Sequence, residues 1–158
     1  MNAGGSSAFV EQMGGALTQA GLPRVPSLVF SALLVDDDGR MTANELARSL
    51  SLSAGAISGA VRYLEQVGMA RRERERGSRR DVYVVDDDAW HGALMRTEHL
   101  YAPMVAALTR CLTGLSEDSP AGRRLLVTKE FLTFVQDEMT ALIDRWERHR
   151  AELIGSSD

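Results

Sequence analysis

The sequence has few of the residues that carry redox, metal or catalytic chemistry. Its single cysteine, Cys111, excludes an internal disulfide and cannot by itself form a thiolate metal site. No nucleophile motif or glycine-rich phosphate loop accompanies the three histidines. His91 and His99 are eight residues apart, whereas a helical metal pair is spaced by four, so solvated or capping histidines are favoured. We therefore expect no enzyme, no metal and no cofactor.

Long apolar segments are also missing. The apolar runs are far shorter than the roughly 20 residues that a membrane-spanning helix needs. The first seven residues have neither the basic start nor the apolar stretch of a signal peptide. A cytoplasmic protein without a membrane segment is the expectation. The length of 158 residues and the hydrophobic content of 44% are ordinary for about one folded domain.

Positive charge is scarce overall but locally concentrated. The chain has a net charge of −4, and residues 86–158 alone sum to −5. Residues 71–80, in contrast, contain six arginines and two glutamates, which gives this stretch a charge of +4. Concentrated positive charge in an acidic chain is typical of a phosphate-binding surface.

A helix-turn-helix pattern precedes the arginine cluster. Thr42 and Glu45 have the spacing of a capping box, which predicts a helix that ends near Leu50. Ser53 is a second N-cap, and the helix that it opens stops at Gly68. The apolar residues at helical spacing predict that two short helices pack at a steep angle across a three-residue turn. These residues are Leu46, Leu50, Leu52, Ile57 and Val61, with small Ala47 at the crossing.

Two strands are predicted after these helices. Residues 69–74 and 81–85 read as the strands of a hairpin, with Gly77 and Ser78 at its turn. A hairpin in this place is the wing of a winged-helix fold.

Further helices are predicted on both sides. The first is capped by Ser6 or Ser7, and a short second helix has Pro26 in its first turn. The fifth helix follows the acidic residues 86–88 and continues to Leu115, with a kink or loosened turn at Pro103. The sixth helix begins at Ser119 and Pro120 and runs to about Leu153. Between residues 125 and 135 apolar residues surround most of it, which predicts that a second protomer covers it.

The DNA-binding surface is predicted from the face of the fourth helix that points away from the core. If Ile57, Ala60, Val61 and Leu64 face inward, the polar and small residues of that helix are available to a major groove. Arg62 is the strong base reader there, since arginine can make a bidentate pair with guanine. The wing tip would reach a minor groove or flanking phosphates. The predicted contact residues are Ser53, Gly55, Ser58, Gly59, Arg62, Arg76, Arg79 and Arg80.

Less specific interpretations stay open at three of these features. Gly59 can serve close approach of the helix backbone to DNA, or it can be chance in a chain rich in glycine and alanine. The wing can be a solvated hairpin in which Glu73 and Glu75 neutralise Arg72 and Arg74. Cys111 is most simply a small core residue, and the alternative is a redox-sensing thiol.

The stretch from Met41 to Met69, followed by Gly77-Ser78-Arg79-Arg80-Asp81, resembles the MarR superfamily of bacterial winged-helix regulators, in particular its GbsR-like actinobacterial branch. With the flanking helices the resemblance covers most of the chain. It implies a homodimer with intertwined first and last helices, a near-palindromic operator, and release by a small ligand in many members. The wing departs from the family because it lacks the Asp-Xaa-Arg arrangement of MarR itself.

These observations predict a mainly α protein, a winged helix-turn-helix with N- and C-terminal dimerisation helices. Residues 1–21 form the first dimerisation helix, 22–85 the DNA-binding domain and 86–158 the second dimerisation region. The predicted function is a homodimeric, sequence-specific repressor that binds double-stranded DNA and responds to a small-molecule effector, whose pocket would lie near Pro103. The alternative is a winged-helix protein-interaction module with only residual DNA affinity.

Overall fold

The computed structural model describes residues 3–74, 80–86, 88–116 and 119–155. The described part is mainly helical with a small antiparallel sheet, so the predicted fold class is confirmed. The chain divides into two compact units, residues 1–93 and residues 94–158. The elements in chain order are α1 (Ala3–Gln19), α2 (Arg24–Val35), β1 (Arg40–Thr42), α3 (Ala43–Leu50), α4 (Ala54–Val67), β2 (Arg71–Arg74), β3 (Asp81–Val84), α5 (Ala89–Leu112) and α6 (Pro120–Gly155).

Helix α2 is the centre of the first unit. Its residues 26–33 are all buried, and Phe30 and Leu33 are completely inaccessible. Two serines share this environment because their hydroxyls are satisfied within the helix. The Ser27 hydroxyl donates to the Pro23 carbonyl at 2.9 Å, and the Ser31 hydroxyl donates to the Ser27 carbonyl at 2.8 Å. Around α2 pack α1, the two helices of the helix-turn-helix and the buried side of the sheet.

Helix α1 begins earlier than predicted and packs within its own chain. It starts at Ala3, so the prediction of a cap at Ser6 or Ser7 is wrong, because packing along α2 outweighs a weak local cap signal. Gly14 is buried, and a β-carbon built there would lie 2.8 Å from Leu28 Cδ2. The glycine therefore permits a close approach of α1 to α2.

The predicted helix-turn-helix is confirmed at both of its N-caps. The Glu45 amide donates to Thr42 Oγ1 at 3.3 Å, and the Thr42 amide donates to Glu45 Oε2 at 2.7 Å, which completes the capping box of α3. The Ala56 amide donates to the Ser53 hydroxyl at 3.2 Å and caps α4. Three residues, 51–53, separate the two helices. At the far end of α4, Gly68 has a φ of 77° and closes the helix, as expected.

Replacing Thr42 by alanine should destabilise the fold by about 1 kcal/mol at neutral pH, because it removes the cap acceptor. Hydrogen bonds from the backbone and side chain of Thr42 hold the pKa of Glu45 below its ordinary value of 4.5. A carboxyl with a lowered pKa stabilises the fold above its ordinary value, and this contribution is lost as the pH falls through the lowered value. Urea unfolding should therefore show the cost of T42A shrinking in acid. Thr42→Ser, which keeps the acceptor, is the control, and an equal loss in both variants would contradict the capping role.

The sheet has three strands, whereas the sequence predicted two. Strand β1 pairs antiparallel with β3, and β3 pairs antiparallel with β2, so the order is β1-β3-β2. Strand β2 begins at Arg71 rather than at Met69 as predicted, because the Met69 amide instead donates to the Leu64 carbonyl at 2.9 Å and closes the end of α4. Strand β3 ends at Val84, one residue earlier than predicted. The hairpin turn lies outside the described residues.

The second unit consists of most of α5 and all of α6. Helix α5 runs continuously through Pro103 and ends at Leu112, so its predicted extension to Leu115 is wrong. The chain turns there instead, with the Gly114 amide donating to the Cys111 carbonyl at 3.3 Å. Cys111 is exposed, so its interpretation as a core residue is also wrong. The Gly122 amide donates to the Ser119 hydroxyl at 2.9 Å, which confirms the predicted N-terminus of α6.

Helix α6 has 36 residues and is roughly 54 Å long at about 1.5 Å per residue. Its side chains include a row of large apolar residues that the single chain leaves in solvent. Val127 is 67% exposed, and Phe131 and Phe134 are each 62% exposed. At helical spacing these three share one face with Leu142, Trp146 and Leu153, which are 42–54% exposed. We call these six residues the α6 apolar stripe.

None of the helices in the described ranges is long and apolar enough to cross a membrane.

Candidate nucleic-acid interface

Helix α4 presents two different faces. Ile57, Ala60, Val61 and Leu64 are buried in the core, so the inward face that the spacing predicted is confirmed. Helix α4 packs on α2, α3 and β2, and residues on its other side are exposed to solvent. The exposed positions include all the residues of this helix that were predicted to meet DNA: Gly55, Ser58, Gly59 and Arg62.

Arg62 is the one cationic side chain of α4, and it is available for an external partner. It lies in the third turn of the helix, is exposed, and forms no ion pair with the residues that the structure describes. Ser53 is also exposed, but its hydroxyl already accepts the Ala56 amide. Ser53 therefore serves first as a cap, and its hydroxyl proton remains available to donate to a phosphate oxygen.

Neither glycine on the exposed face of α4 is required by packing within the chain. A β-carbon built at Gly55 or at Gly59 would have nothing within 4 Å. Gly59 is in the helix interior, where glycine costs about 1 kcal/mol relative to alanine. The fold therefore accepts this cost without a packing reason on the same chain, in contrast to Gly14, which alanine would push against Leu28. An external surface that approaches the α4 backbone closely would supply the reason.

The arginines at the base of the wing form ion pairs with acidic side chains. Arg71 pairs with both Asp86, at 2.9 Å, and Glu73, and Arg72 hydrogen-bonds Asp81 across the hairpin. Glu73 also binds Arg40 of β1 at 3.3 Å. The alternative in which Glu73 and Glu75 neutralise Arg72 and Arg74 is thus wrong for Glu73, because Glu73 lies on the same face of β2 as Arg71 and also binds Arg40 of β1.

These ion pairs shift the pKa values of their members. The hydrogen bond to Asp86 raises the pKa of Arg71, and the hydrogen bond between Arg72 and Asp81 raises the pKa of the arginine and lowers that of the carboxyl. Exposed pairs of this kind contribute little to stability, because solvent screens them. Their main consequence is that the charges of Arg71 and Arg72 are largely cancelled at the base of the wing.

Two arginines farther along the wing are described, Arg74 and Arg80, of which Arg80 was predicted to contact DNA. Arg74 is exposed and forms no ion pair with the described residues. Arg80 is exposed at the start of β3 and lies close enough to Glu45 to lower the pKa of that carboxyl, which places it near the N-terminus of α3. Arg76 and Arg79 lie outside the described residues, as do the side chains of His91 and His99.

One feature of this surface had no usable signal in the sequence. Arg40 lies on β1, a strand of three residues that is too short to show alternation. Its position beside the wing becomes visible only through the pairing of Arg40 with Val84. The buried tyrosine on the same central strand, Tyr83, has a raised pKa because burial disfavours the phenolate.

Two short helices joined by a three-residue turn are followed by the paired strands β2 and β3. This arrangement, with an N-cap and an exposed arginine on the second helix, defines the chain as a winged-helix protein. Comparisons with known families agree. Residues 9–81 match the MarR family model, and residues 88–149 match a model described as MmpR5-like MarR family transcriptional regulator. The two matches together span most of the chain. The chain is therefore similar to MarR family transcriptional regulators over most of its length.

Individual relatives support the assignment over nearly the whole length. The HTH-type transcriptional regulator MmpR5 of Mycobacterium tuberculosis is 28% identical over 91% of this chain and 88% of its own length. YcgE of Bacillus subtilis, an uncharacterized HTH-type transcriptional regulator, is 37% identical over 38% of this chain and 39% of its own. A crystal structure of a transcriptional regulator superposes with a TM-score of 0.78 at 28% identity, covering 90% of this chain and 98% of that one.

Proposed function

We propose that the protein is a homodimeric, sequence-specific DNA-binding repressor that is not an enzyme and acts in the cytoplasm. The observation that carries the proposal is the exposed face of α4. It combines an arginine and a serine hydroxyl that have no partner among the described residues with two glycines that meet no neighbouring atom. Such a surface is suited to contact with something outside the chain, and similarity to the MarR family makes DNA the expected partner.

The α6 apolar stripe supports dimerisation. Soluble monomers rarely leave a large contiguous apolar patch in water. Complete burial of a single phenylalanine is worth roughly 1.5–3 kcal/mol, so two exposed on the same helix face are a considerable cost for a lone chain. A second copy presenting the same stripe would bury both sets at once, as two-fold symmetry requires. The roles assigned to residues 1–21 and 86–158 as dimerisation parts remain proposals on this basis.

The dimer would place two α4 helices in successive major grooves. Helix-turn-helix dimers contact half-sites about 34–36 Å apart, so the operator is expected to be an inverted repeat. Within each half-site Arg62 would read a guanine and Ser58 would contact a base or phosphate. The small residues Gly55 and Gly59 would let the helix backbone approach. Arg76, Arg79 and Arg80 would bind phosphates or a minor groove at the flanks.

The finer family placement and regulation are proposals as well. The GbsR-like branch stays a prediction. The match of residues 88–149 to an MmpR5-like model favours an MmpR5-like grouping for the C-terminal part instead. The effector response, with a pocket near Pro103, also remains a prediction. The protein-interaction module is not favoured, since both matched families are transcriptional regulators.

The proposal is tested by selecting bound duplexes from a random DNA pool with the purified protein. We expect enrichment of an inverted repeat whose half-site centres are one helical turn apart. The affinity for it should fall steeply with salt, because phosphate contacts release counterions. Selection of no sequence, with weak and uniform binding, would contradict the proposal and favour the interaction module.

Gly59→Ala separates folding from binding. The substitution should raise the free energy of unfolding by about 0.5–1 kcal/mol, since the added methyl group meets no atom of the chain and glycine is a poor helix former. If the backbone of α4 approaches DNA closely, the same methyl should weaken operator binding. Gly15→Ala, in α1 and equally unobstructed, is the control for the gain in stability. Unchanged operator affinity in G59A would show that Gly59 has no role in binding.

A further inference from the structure

A cleft of about 620 Å³ opens in the first unit, away from the exposed face of α4. It lies between α1, the C-terminal end of α2 and the C-terminal end of α3. Val10, Leu28 and Ala32 provide a buried apolar floor. Its volume lies within the range of about 300–1,000 Å³ that small-molecule sites occupy. Serines and carboxylates surround the apolar floor, so the lining is about half polar.

The charged residues that line the cleft are all acidic. Its lining residues include Glu11, Asp36 and Asp37 and no arginine, lysine or histidine. Glu11 and Asp37 are exposed, and neither forms an ion pair with any described residue. Asp36 accepts the amides of Asp38 and Arg40 at 3.2 and 3.1 Å, which fixes its carboxylate without supplying a counter-charge. The cleft therefore offers apolar contact and a negative potential together.

One wall of the cleft belongs to the helix-turn-helix. Leu50 and Ser51 line it, and Ser51 begins the three-residue turn that leads to the N-cap of α4. Ser51 has a φ of 52° and is the one non-glycine residue with positive φ among the described residues. Residues with a β-carbon rarely adopt a positive φ, so contacts with neighbouring residues are needed to keep the turn in this conformation. A molecule in the cleft would touch the segment that fixes the angle between α3 and α4.

We propose that this cleft binds small amphiphilic organic cations and is an effector site. The apolar body of such a molecule would cover Leu28 and Ala32, and its cationic group would lie beside Glu11 and Asp37. Organic anions would be repelled by three carboxylates. The binding part depends on the cleft alone, whereas the effector part rests on the proposed function, because it requires that the displaced turn changes the presentation of α4 to DNA.

Binding is tested without DNA by calorimetric titration with tetraphenylphosphonium. Tetraphenylborate, an anion of the same shape, is the matched control for hydrophobic adsorption. We expect saturable binding of one phosphonium per chain and at least a tenfold weaker binding of the borate. Equal binding of the two ions would show that charge does not select the ligand. No binding of the phosphonium would also overturn the proposal, and it is the result expected if a second copy of the chain covers the cleft.

Two variants with the same charge change locate the site. Glu11→Gln combined with Asp37→Asn keeps the shapes of both side chains and the hydrogen bonds of Asp36, and should weaken phosphonium binding tenfold or more. Asp137→Asn combined with Asp144→Asn removes two exposed carboxylates of α6 and should leave it unchanged. Equal affinities in the two double variants would place the cation elsewhere and contradict the assignment. Circular dichroism checks that both retain the helical fold.

The effector role is tested separately, by measuring the affinity for DNA with and without the cation. A saturating concentration of tetraphenylphosphonium should weaken binding of the selected duplex by about fivefold or more, the usual lower range of allosteric coupling. The variant with Asp37→Asn alone, which lies outside α1 and outside the exposed face of α4, should bind the duplex normally and be less sensitive to the cation. If the cation binds in the cleft and the affinity for DNA is unchanged, the effector role is wrong. If no duplex is bound even without the cation, the proposed function fails, and the calorimetric result still decides the binding site.

Discussion

Phe131→Glu combined with Phe134→Glu is expected to convert the protein from dimer to monomer and to abolish tight operator binding. Both rings are 62% exposed on one face of α6. A symmetric dimer that buries the α6 apolar stripe would bury four phenylalanines, worth roughly 6–12 kcal/mol at about 1.5–3 kcal/mol each. Even a third of this value, about 2–4 kcal/mol, corresponds to roughly 30-fold to 1,000-fold in the dissociation constant. Sedimentation of the free protein and anisotropy of the labelled duplex measure the two effects.

The control adds the same two charges on the other side of the helix. Thr133→Glu combined with Thr140→Glu should leave the protein dimeric and competent to bind DNA, because neither threonine belongs to the α6 apolar stripe. Since dimers of this kind can lose their fold with their partner, Val127→Ala provides a milder test. It should weaken dimerisation by roughly tenfold with the fold retained. A phenylalanine double variant that stays dimeric would show that this face is not the interface.

Arg62→Ala is expected to relax the base preference at one position of each half-site. A bidentate arginine–guanine pair discriminates by roughly 1–3 kcal/mol, and the two half-sites double this effect for the dimer. Arg62 is suited to this role because it is exposed on α4 and has no ion pair with the described residues to break first. The measurement is a repeat of the duplex selection with the variant, which should return the same repeat with one degenerate position per half-site.

Two further substitutions separate base reading from general charge. Arg62→Lys keeps the charge but loses the planar fork, so affinity should be partly restored while the base preference stays weak. Arg24→Ala removes an exposed arginine at the start of α2 and should leave the preference intact. An unaltered preference in R62A would mean that α4 is oriented on DNA differently from the arrangement proposed.

The parts of the fold that could be predicted from the sequence are those determined by local chemistry. The capping box at Thr42, the cap at Ser53 and the stop at Gly68 are all present, because each depends on residues within one helical turn. The buried face of α4 was correct for a similar reason, since a spacing of 3.6 residues identifies one side of a helix. These elements also orient Arg62.

The predictions that were wrong concern features that depend on residues far apart in the sequence. Strand β1 exists because β3 is beside it, and three residues carry no periodic signal of their own. Cys111 was assigned to a core from its apolar neighbours, yet exposure depends on what packs against α5. Arg71 meets Glu73 because the two alternate onto one face of β2, whereas the contact of Glu73 with Arg40 depends on the pairing of β1 in the sheet, which the sequence of the wing does not specify.

The most direct test of a dimer that reads DNA sequence compares the selected duplex with the same duplex in which one half-site is scrambled. Affinities are measured at one salt concentration, so the phosphate contribution is common to both. If two α4 helices read two half-sites, scrambling one should weaken binding by at least about a hundredfold, since each mismatched base pair costs roughly 1–3 kcal/mol. Equal affinities for the two duplexes would contradict symmetric reading by a dimer.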